Sequence, residues 1–450
     1  MAATVPRGKA ISATATERRK TPLYTHTTQH RCYHLDEAAL AQCAAAVEAA
    51  LPTQPPLAID AESAALLQHY YLSRMPRIAH AFELPERLLA TSMSYFKRFW
   101  LTRGIAEPLQ GHRGAKPPVR GAKGVKTVML ISLYMATKTH SVAIPLPHFA
   151  SRVAGGGGDG GGGSNNVSSD TAAKENECLI RDYELEVASV LGWRFRLVHA
   201  FEGVRGISLE LQRFESKLAT AAFADQWTRP LKLACAHLRL TEAEFLYTPS
   251  QCALGVWWAV ATGATEGEAG EHAIQSQDAR LIRSALERWI ADKVDRAKGP
   301  AASASGSSAE VSPTAVAAVA AAAAQSQQGT HQAAKMPAPA SMDAEQIKAI
   351  AEKVSVLVRK GKEREELMAS PVTLARVREV DAVLKEWTMQ RELLDKKLAF
   401  QEQEETLPTV TGKRSGAESS TEDATAAADR QESSAKRAKV KTVQHDSEDE

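Results

Sequence analysis

Side chains that could do chemistry are plentiful in this chain, and their spacing argues against most of it. Thirteen histidines and five cysteines are present. No H-E-x-x-H occurs, no histidine stands at ligand spacing from a cysteine, and Cys32, Cys43, Cys178, Cys235 and Cys252 form no C-x-x-C pair, so neither a metal site nor a cofactor is expected. "GGGGDGGGGS" at 155–164 could cradle a phosphate, but that needs a Lys-Ser/Thr opening the next helix, and "SNNVSSD" follows instead. The stretch reads as a linker. No G-x-S-x-G elbow and no kinase signature (Gly-rich loop with its lysine, H-R-D, D-F-G) is present, and the chain is expected to have no catalytic site of its own. "MSYFKRFWL" has rings beside Lys97 and Arg98, a combination used to stack nucleic-acid bases, although its helical stripe favours core packing. One charge remains without a local reason. "MLISLYMATKTH", residues 129–140, is an apolar run closed by Lys138, where the helix macrodipole alone would account for a cation.

Composition bounds what must position such residues. With 450 residues, 44% apolar and 24% charged, the chain can form two or three domains with a sizeable core. Its formal charge of +2 supplies no overall field for nucleic acid or membrane. An odd number of scattered cysteines suits a reducing compartment. "MAATVPRGKAISATATERRK" has no continuous apolar stretch of signal-peptide length, and "AVAAVAAAAA" at 315–324 is too short and too alanine-rich to span a bilayer. A soluble, intracellular protein is expected.

Between the low-complexity segments the apolar periodicity is helical almost throughout, with no convincing alternating strand. In "PERLLATSMSYFKRFWL", Leu89, Met93, Phe96 and Trp100 recur at four, three and four, predicting one stripe on a helix from near Pro85. "KTVMLISLYMATK" is apolar around its whole circumference, as in the central helix of a bundle. "ENECLIRDYELEVASVLGW" returns to a stripe of Leu179, Ile180, Tyr183, Val187, Val190 and Leu191 and stops near Gly192. About five further helices follow, among them "YTPSQCALGVWWAV", where Thr248 is a good N-cap before Pro249. A mostly apolar middle helix in each group of five suggests two similar all-α domains in tandem. In "LARVREVDAVLKEWTMQRELLDKKL", Val377, Val380, Leu384, Trp387, Leu394 and Leu398 keep a three-four rhythm broken at Arg391, which favours a helix docked by one face over a coiled coil.

Together, "SYFKRFWL", "LYMATK", "DYELEVASVLGWRF", "LVHAFEG" and "LYTPSQCAL", with "HTTQHRCYHLDE" near the start, resemble the cyclins, and among them the cyclin H subfamily, over roughly residues 24–362. The resemblance implies an all-α fold of two tandem five-helix cyclin boxes with flanking N- and C-terminal helices. It divides the chain into a disordered N-terminus (1–23), an N-terminal helical segment (24–58), a first box (59–200, with the Gly-rich insert 155–164) and a second box (201–362, with an Ala-rich disordered insert 299–341). A C-terminal helix (371–403) and a disordered tail (404–450) complete it. The implied function is that of a non-catalytic regulatory subunit that binds and activates a cyclin-dependent kinase of the CDK-activating type. The complex would phosphorylate CDK activation segments and the repeats of the RNA polymerase II tail. In the family, the residues at the positions of Lys138, ending the third helix, and Glu184, in the fifth, contact the kinase. Implied partners are the kinase, a RING-finger assembly factor and the TFIIH core, with no direct nucleic acid and no membrane. "THS" follows Lys138 where acidic residues are usual, the link between "LVH" and "FEG" is about four residues shorter, and no Met-Arg-Ala-Ile-Leu docking motif is evident. The alternatives are a cyclin C-like transcriptional cyclin and a TFIIB-like double cyclin fold on DNA. The latter group usually carries a zinc ribbon and basic faces, which this sequence does not display. "KRAKVK" at 436–441 resembles a nuclear localisation cluster, and "HDSEDE" is an acidic end of no assigned use.

Overall fold

The computed structural model describes residues 24, 27–49, 51, 59–105, 107, 109–110, 119, 121–156, 166–263, 276–298 and 342–406. The disordered N-terminus expected at 1–23, the Ala-rich insert, the tail beyond 406 and all of the Gly-rich insert except Gly155 and Gly156 lie outside the described residues. Among the described residues there are fourteen α-helices and no strand, with one isolated antiparallel bridge between Leu109 and Val119. No helix among them is long and apolar enough to cross a membrane.

A first bundle comprises α3 (Ala61–Ala81), α4 (Glu86–Trp100), α5 (Gly121–Thr139), α6 (Leu146–Gly156) and α7 (Asn166–Val190). α5 is its axis and packs against α3, α4 and α7. Val125, Val128, Leu130, Ile131 and Leu133 are all fully buried, as expected of a helix that is apolar all round. Two of its buried hydroxyls bond within the helix, with Thr127 and Thr137 donating back to the carbonyls of Lys123 and Tyr134, each at 2.7 Å. α4 is enclosed more completely than its stripe implies. Met93, Phe96 and Trp100 are buried, but so are Leu88, Tyr95 and Phe99, whereas Leu89 is half-buried. The rings of "MSYFKRFWL" are therefore core, and Arg98, itself buried, lies 4.1 Å over the ring of Tyr33.

A second bundle has its own core, built from α8 (Ala200–Leu211), α9 (Ala221–Arg239), the short α10 (Ala243–Leu246), α11 (Pro249–Ala261), α12 (Ser276–Lys298) and α13 (Ala344–Ala369). Here α11 is the axis, against α8, α9, α12 and α13. It begins with a full capping box: the Thr248 hydroxyl accepts from the Gln251 N–H, and the Gln251 side chain accepts from the Thr248 N–H at 2.8 Å. The fully buried Trp257 donates from Nε1 to the Val204 carbonyl of α8 at 2.9 Å. Two glycines set the position of α13. A Cβ on Gly255 of α11 would stand 2.2 Å from the Val354 side chain, and one on Gly361 of α13 would stand 1.9 Å from the His237 carbonyl oxygen of α9. α13 runs straight through Gly361 to Ala369.

The flanking helices dock on these bundles. α14 (Pro371–Thr406) adds Val377, Val380 and Leu384 to the first core, whereas Met389 and Leu393 farther along are exposed. Residues from Leu394 onward form a separate unit, whose described part is the end of α14. At the other terminus, α1 (Thr28–Tyr33) lies at the junction of the bundles and α2 (Glu37–Ala49) follows it. The Gln29 side chain bonds the Val198 backbone twice, donating to its carbonyl at 3.3 Å and accepting from its N–H at 2.8 Å. Tyr33 donates to the Leu191 carbonyl at 3.1 Å, and the Leu35 N–H to the Phe245 carbonyl at 2.7 Å. Residues 29–35 thus strap the inter-bundle linker to both bundles.

The same junction makes stability depend on pH. Thr91 Oγ1 donates to the Arg87 carbonyl at 2.9 Å and lies 2.7 Å from His140 Nε2 and 2.9 Å from His199 Nε2. With its one proton used, Thr91 accepts from both imidazoles at Nε2. Burial pushes His199 down to about 3, with Arg239, Arg98 and His140 acting in the same direction and Glu244 against it. Burial and then His30 push His34 down to about 4. Both imidazoles titrate near 6.5 when unfolded, so below that pH the unfolded chain binds more protons, and stability falls as pH falls through the window from about 6.5 toward the folded values. At pH 5 the loss is about 2 kcal/mol per imidazole. The melting temperature should drop between pH 7 and pH 5, and His199→Gln, which keeps a donor but does not titrate, should remove about half of this contribution. An unchanged pH slope in that variant would mean that His199 is not a source of it.

Candidate functional site

Lys138 and Glu184 are brought together. The last turn of α5 carries Lys138 beside the C-terminal part of α7, and its Nζ bonds both Glu184 oxygens, at 2.7 and 2.8 Å. The ammonium also lies 4.7 Å over the ring of Tyr134, one turn earlier on α5. Lys138 is about half exposed and Glu184 a quarter (50% and 27%), so the pair sits at a surface edge and is worth little to the fold, about 0.2–1 kcal/mol. Its two partners are 46 residues apart in sequence and are aligned because α5, buried along most of its length, fixes α7 against its flank.

Beside the pair an open groove of about 330 Å³ runs between α5 and α7, lined by Met135, Lys138, Thr139, Arg181, Glu184, Leu185, Ala188, Trp193 and Phe195. Leu185 and Trp193 leave 42% and 60% of their surface exposed, which is unusual for two large apolar side chains lining one groove. Phe195 is anchored from below. Tyr95 donates to its carbonyl at 2.7 Å and meets its ring edge-on at 5.7 Å. The expected stop at Gly192 is present: its N–H donates to the Ser189 carbonyl at 2.8 Å with φ +59°. Trp193, the next residue, is also left-handed, at φ +59°, with its N–H on the Ala188 carbonyl at 3.0 Å. Sequence reasoning named the charged pair and missed these apolar neighbours. A tryptophan directly after a helix-ending glycine was the available signal.

The groove therefore combines a preformed apolar wall with a charged edge of Lys138, Arg181 and Glu184, an arrangement suited to another protein's helix rather than to bond-making chemistry. Arg181 is itself held by Glu177 one turn away on α7.

No family model matches the chain. In sequence it is 24% identical over 208 residues to Cyclin mcs2 of Schizosaccharomyces pombe, a match taking in 46% of this chain and 53% of that protein, so the chain spans about half the length of the curated relative. In structure it is similar to a chain of the CAK complex of Chaetomium thermophilum bound to ATP-gamma-S, with a TM-score of 0.51 and 14% identity over 91% of this chain and all of that one. A chain of the yeast TFIIK (Kin28/Ccl1/Tfb3) complex is a looser likeness, with a TM-score of 0.40 and 18% identity over 58% of this chain and 98% of that one. The two bundles described above thus have the all-α fold of the CAK-complex chain.

Proposed function

We propose that this chain, a cyclin H-like cyclin, is the non-catalytic regulatory subunit of a CDK-activating kinase, and that the groove between α5 and α7 with its Lys138–Glu184 edge is where the kinase binds. The observation that carries the reading is the placement of a paired charge beside an open apolar wall on the flank of the first bundle between α5 and α7. A kinase becomes active when its αC helix is held so that its glutamate meets the ATP-anchoring lysine, and a rigid partner pressed on that helix can supply the hold. α5 is such a support, because Val128, Leu130, Ile131 and Leu133 ahead of the groove are fully buried, so the groove floor cannot yield without disturbing the core.

On this reading the complex phosphorylates the activation segments of cyclin-dependent kinases and the repeats of the RNA polymerase II tail. A RING-finger assembly factor and the TFIIH core are its further partners, and the complex acts in the nucleus, consistent with "KRAKVK" at 436–441. The similarity to a cyclin and to a CAK-complex chain supports it. The test is to isolate the tagged full chain from native extract, identify the bound kinase, and assay it on a heptad-repeat peptide with and without the chain. Activity that rises only with the chain is the expected result. A chain recovered without a kinase, or bound to DNA with a steep salt dependence, would sink the reading.

A further inference from the structure

We propose that Ser370 is a phosphorylation site for a proline-directed serine/threonine kinase, and that the phosphate it receives caps α14. Ser370 is the single residue between α13 and α14, so it joins a helix of the second core to a helix docked on the first. Ser370-Pro371 is one of two serine- or threonine-proline pairs among the described residues, and the other is closed. There the Thr248 hydroxyl is held in its capping box, accepting from the Gln251 N–H at 3.4 Å, beside the buried Tyr247.

The Ser370 hydroxyl is uncommitted. It makes no hydrogen bond with a described residue, it is open to solvent, and Leu367, Ala369, Pro371 and Val372 around it are exposed. The backbone at Ser370 is already extended, at φ −66° and ψ 133°, the form in which kinases take up a substrate segment. To enter a kinase cleft the flanking turns must open, and they hold little: of residues 366–372, Met368 alone is buried. In the transfer, Ser370 Oγ forms a bond to the γ-phosphorus of ATP and the bond from that phosphorus to the β,γ-bridging oxygen breaks. ADP leaves, and the hydroxyl proton passes to the catalytic aspartate of the modifying kinase.

Once attached, the phosphate stands at the N-cap of α14, where the Ser370 carbonyl already accepts the first helical bond, from the Leu374 N–H at 3.0 Å. Pro371 has no N–H, and those of Val372 and Thr373 have no partner inside the helix, so both can meet phosphate oxygens while the positive end of the macrodipole favours the dianion. The first turn of α14 holds no acid to oppose it. The nearest acids along the chain, Glu365 and Glu366, belong to α13 and are paired with His237 and Lys362.

The experiment incubates the full chain with ATP and a purified mitogen-activated protein kinase and maps incorporation by mass spectrometry, with Ser370→Ala as the blank and a peptide of residues 364–376 as the reference. Ser370 in the folded chain should be phosphorylated within about thirtyfold of the peptide's rate, the factor allowing for the turns that must open. A slower rate, or one no faster than that of Thr248, overturns the proposal. Phosphorus NMR then reads the cap. The phosphoserine midpoint, near 6 in the peptide, should lie about 0.2–0.7 pH unit lower in the full chain. A midpoint equal to the peptide's or above it shows that α14 does not cap the phosphate and overturns that half of the proposal.

Discussion

Gly361→Ala should destabilise the chain by about 3 kcal/mol, the upper end of what overpacking usually costs. The added Cβ would lie 1.9 Å from the His237 carbonyl oxygen, 2.5 Å from its carbon and 3.0 Å from its Cα. These are backbone atoms of α9, so no rotamer change relieves the clash and the two helices must separate. They are held together on the neighbouring turn, where His237 Nε2 lies 2.9 Å from Glu365, and the fully buried Val354 and Val358 of the same helix fill the second core. The sign runs against local propensity, since alanine is worth about 1 kcal/mol more than glycine inside a helix. Gly206 on α8 supplies the control: a Cβ there meets nothing within 4 Å, and Gly206→Ala should stabilise by about that amount. Denaturant melts of the two variants should therefore move in opposite directions. Equal stabilisation in both would show that α13 does not cross α9 as closely as described.

Lys138→Glu should cost on the order of 2–5 kcal/mol of kinase binding while leaving the fold nearly intact. The intramolecular pair complicates the simple expectation, because reversing Lys138 places a carboxylate against Glu184 as well as against the partner. Charge exchange separates the two effects. In Lys138→Glu with Glu184→Lys, the bridge within the chain is rebuilt with reversed polarity, so whatever stability the single change removed, about 1 kcal/mol at most for so exposed a pair, should return. Binding should not return if the kinase reads each charge at its own position. Recovery of both melting temperature and kinase affinity in the exchanged variant would reduce the pair to a brace between α5 and α7. Normal affinity in both single variants would remove these residues from the interface.

These two cases differ in how visible they are in the sequence. The four-three-four spacing of Leu89, Met93, Phe96 and Trp100 places α4, and the unbroken apolar run before Lys138 identifies α5 as buried, because burial on one face or on all faces is a local pattern. The docked stripe of α14 is legible for the same reason as far as Leu384. Lys138 and Glu184 could be named only through the family resemblance, since the bridge between them depends on how two helices lie side by side. Gly361 carries no signal of its close approach to α9. A glycine late in a helical run suggests a stop, and only the crossing helix explains why this one is in the middle of α13. Trp193 misleads, because its chemistry points to a core and its backbone conformation turns it outward.

The strap made by α1 and the residues just after it sets an order of events during synthesis. Gln29 closes on Val198 and Leu35 on Phe245, so these early residues have no partners while the ribosome adds the next 169 residues and more. At roughly 5–20 residues per second, the interval before Phe245 has been made is on the order of 10–40 s, long enough for the first bundle to condense on its own. For that time the surface that α1 will cover, including buried Arg98 under Tyr33, is open to solvent and to chaperones. α1, which leaves the ribosome before either bundle, is thus secured only after the linker and α10 have been made, and its closure records that synthesis has passed Phe245.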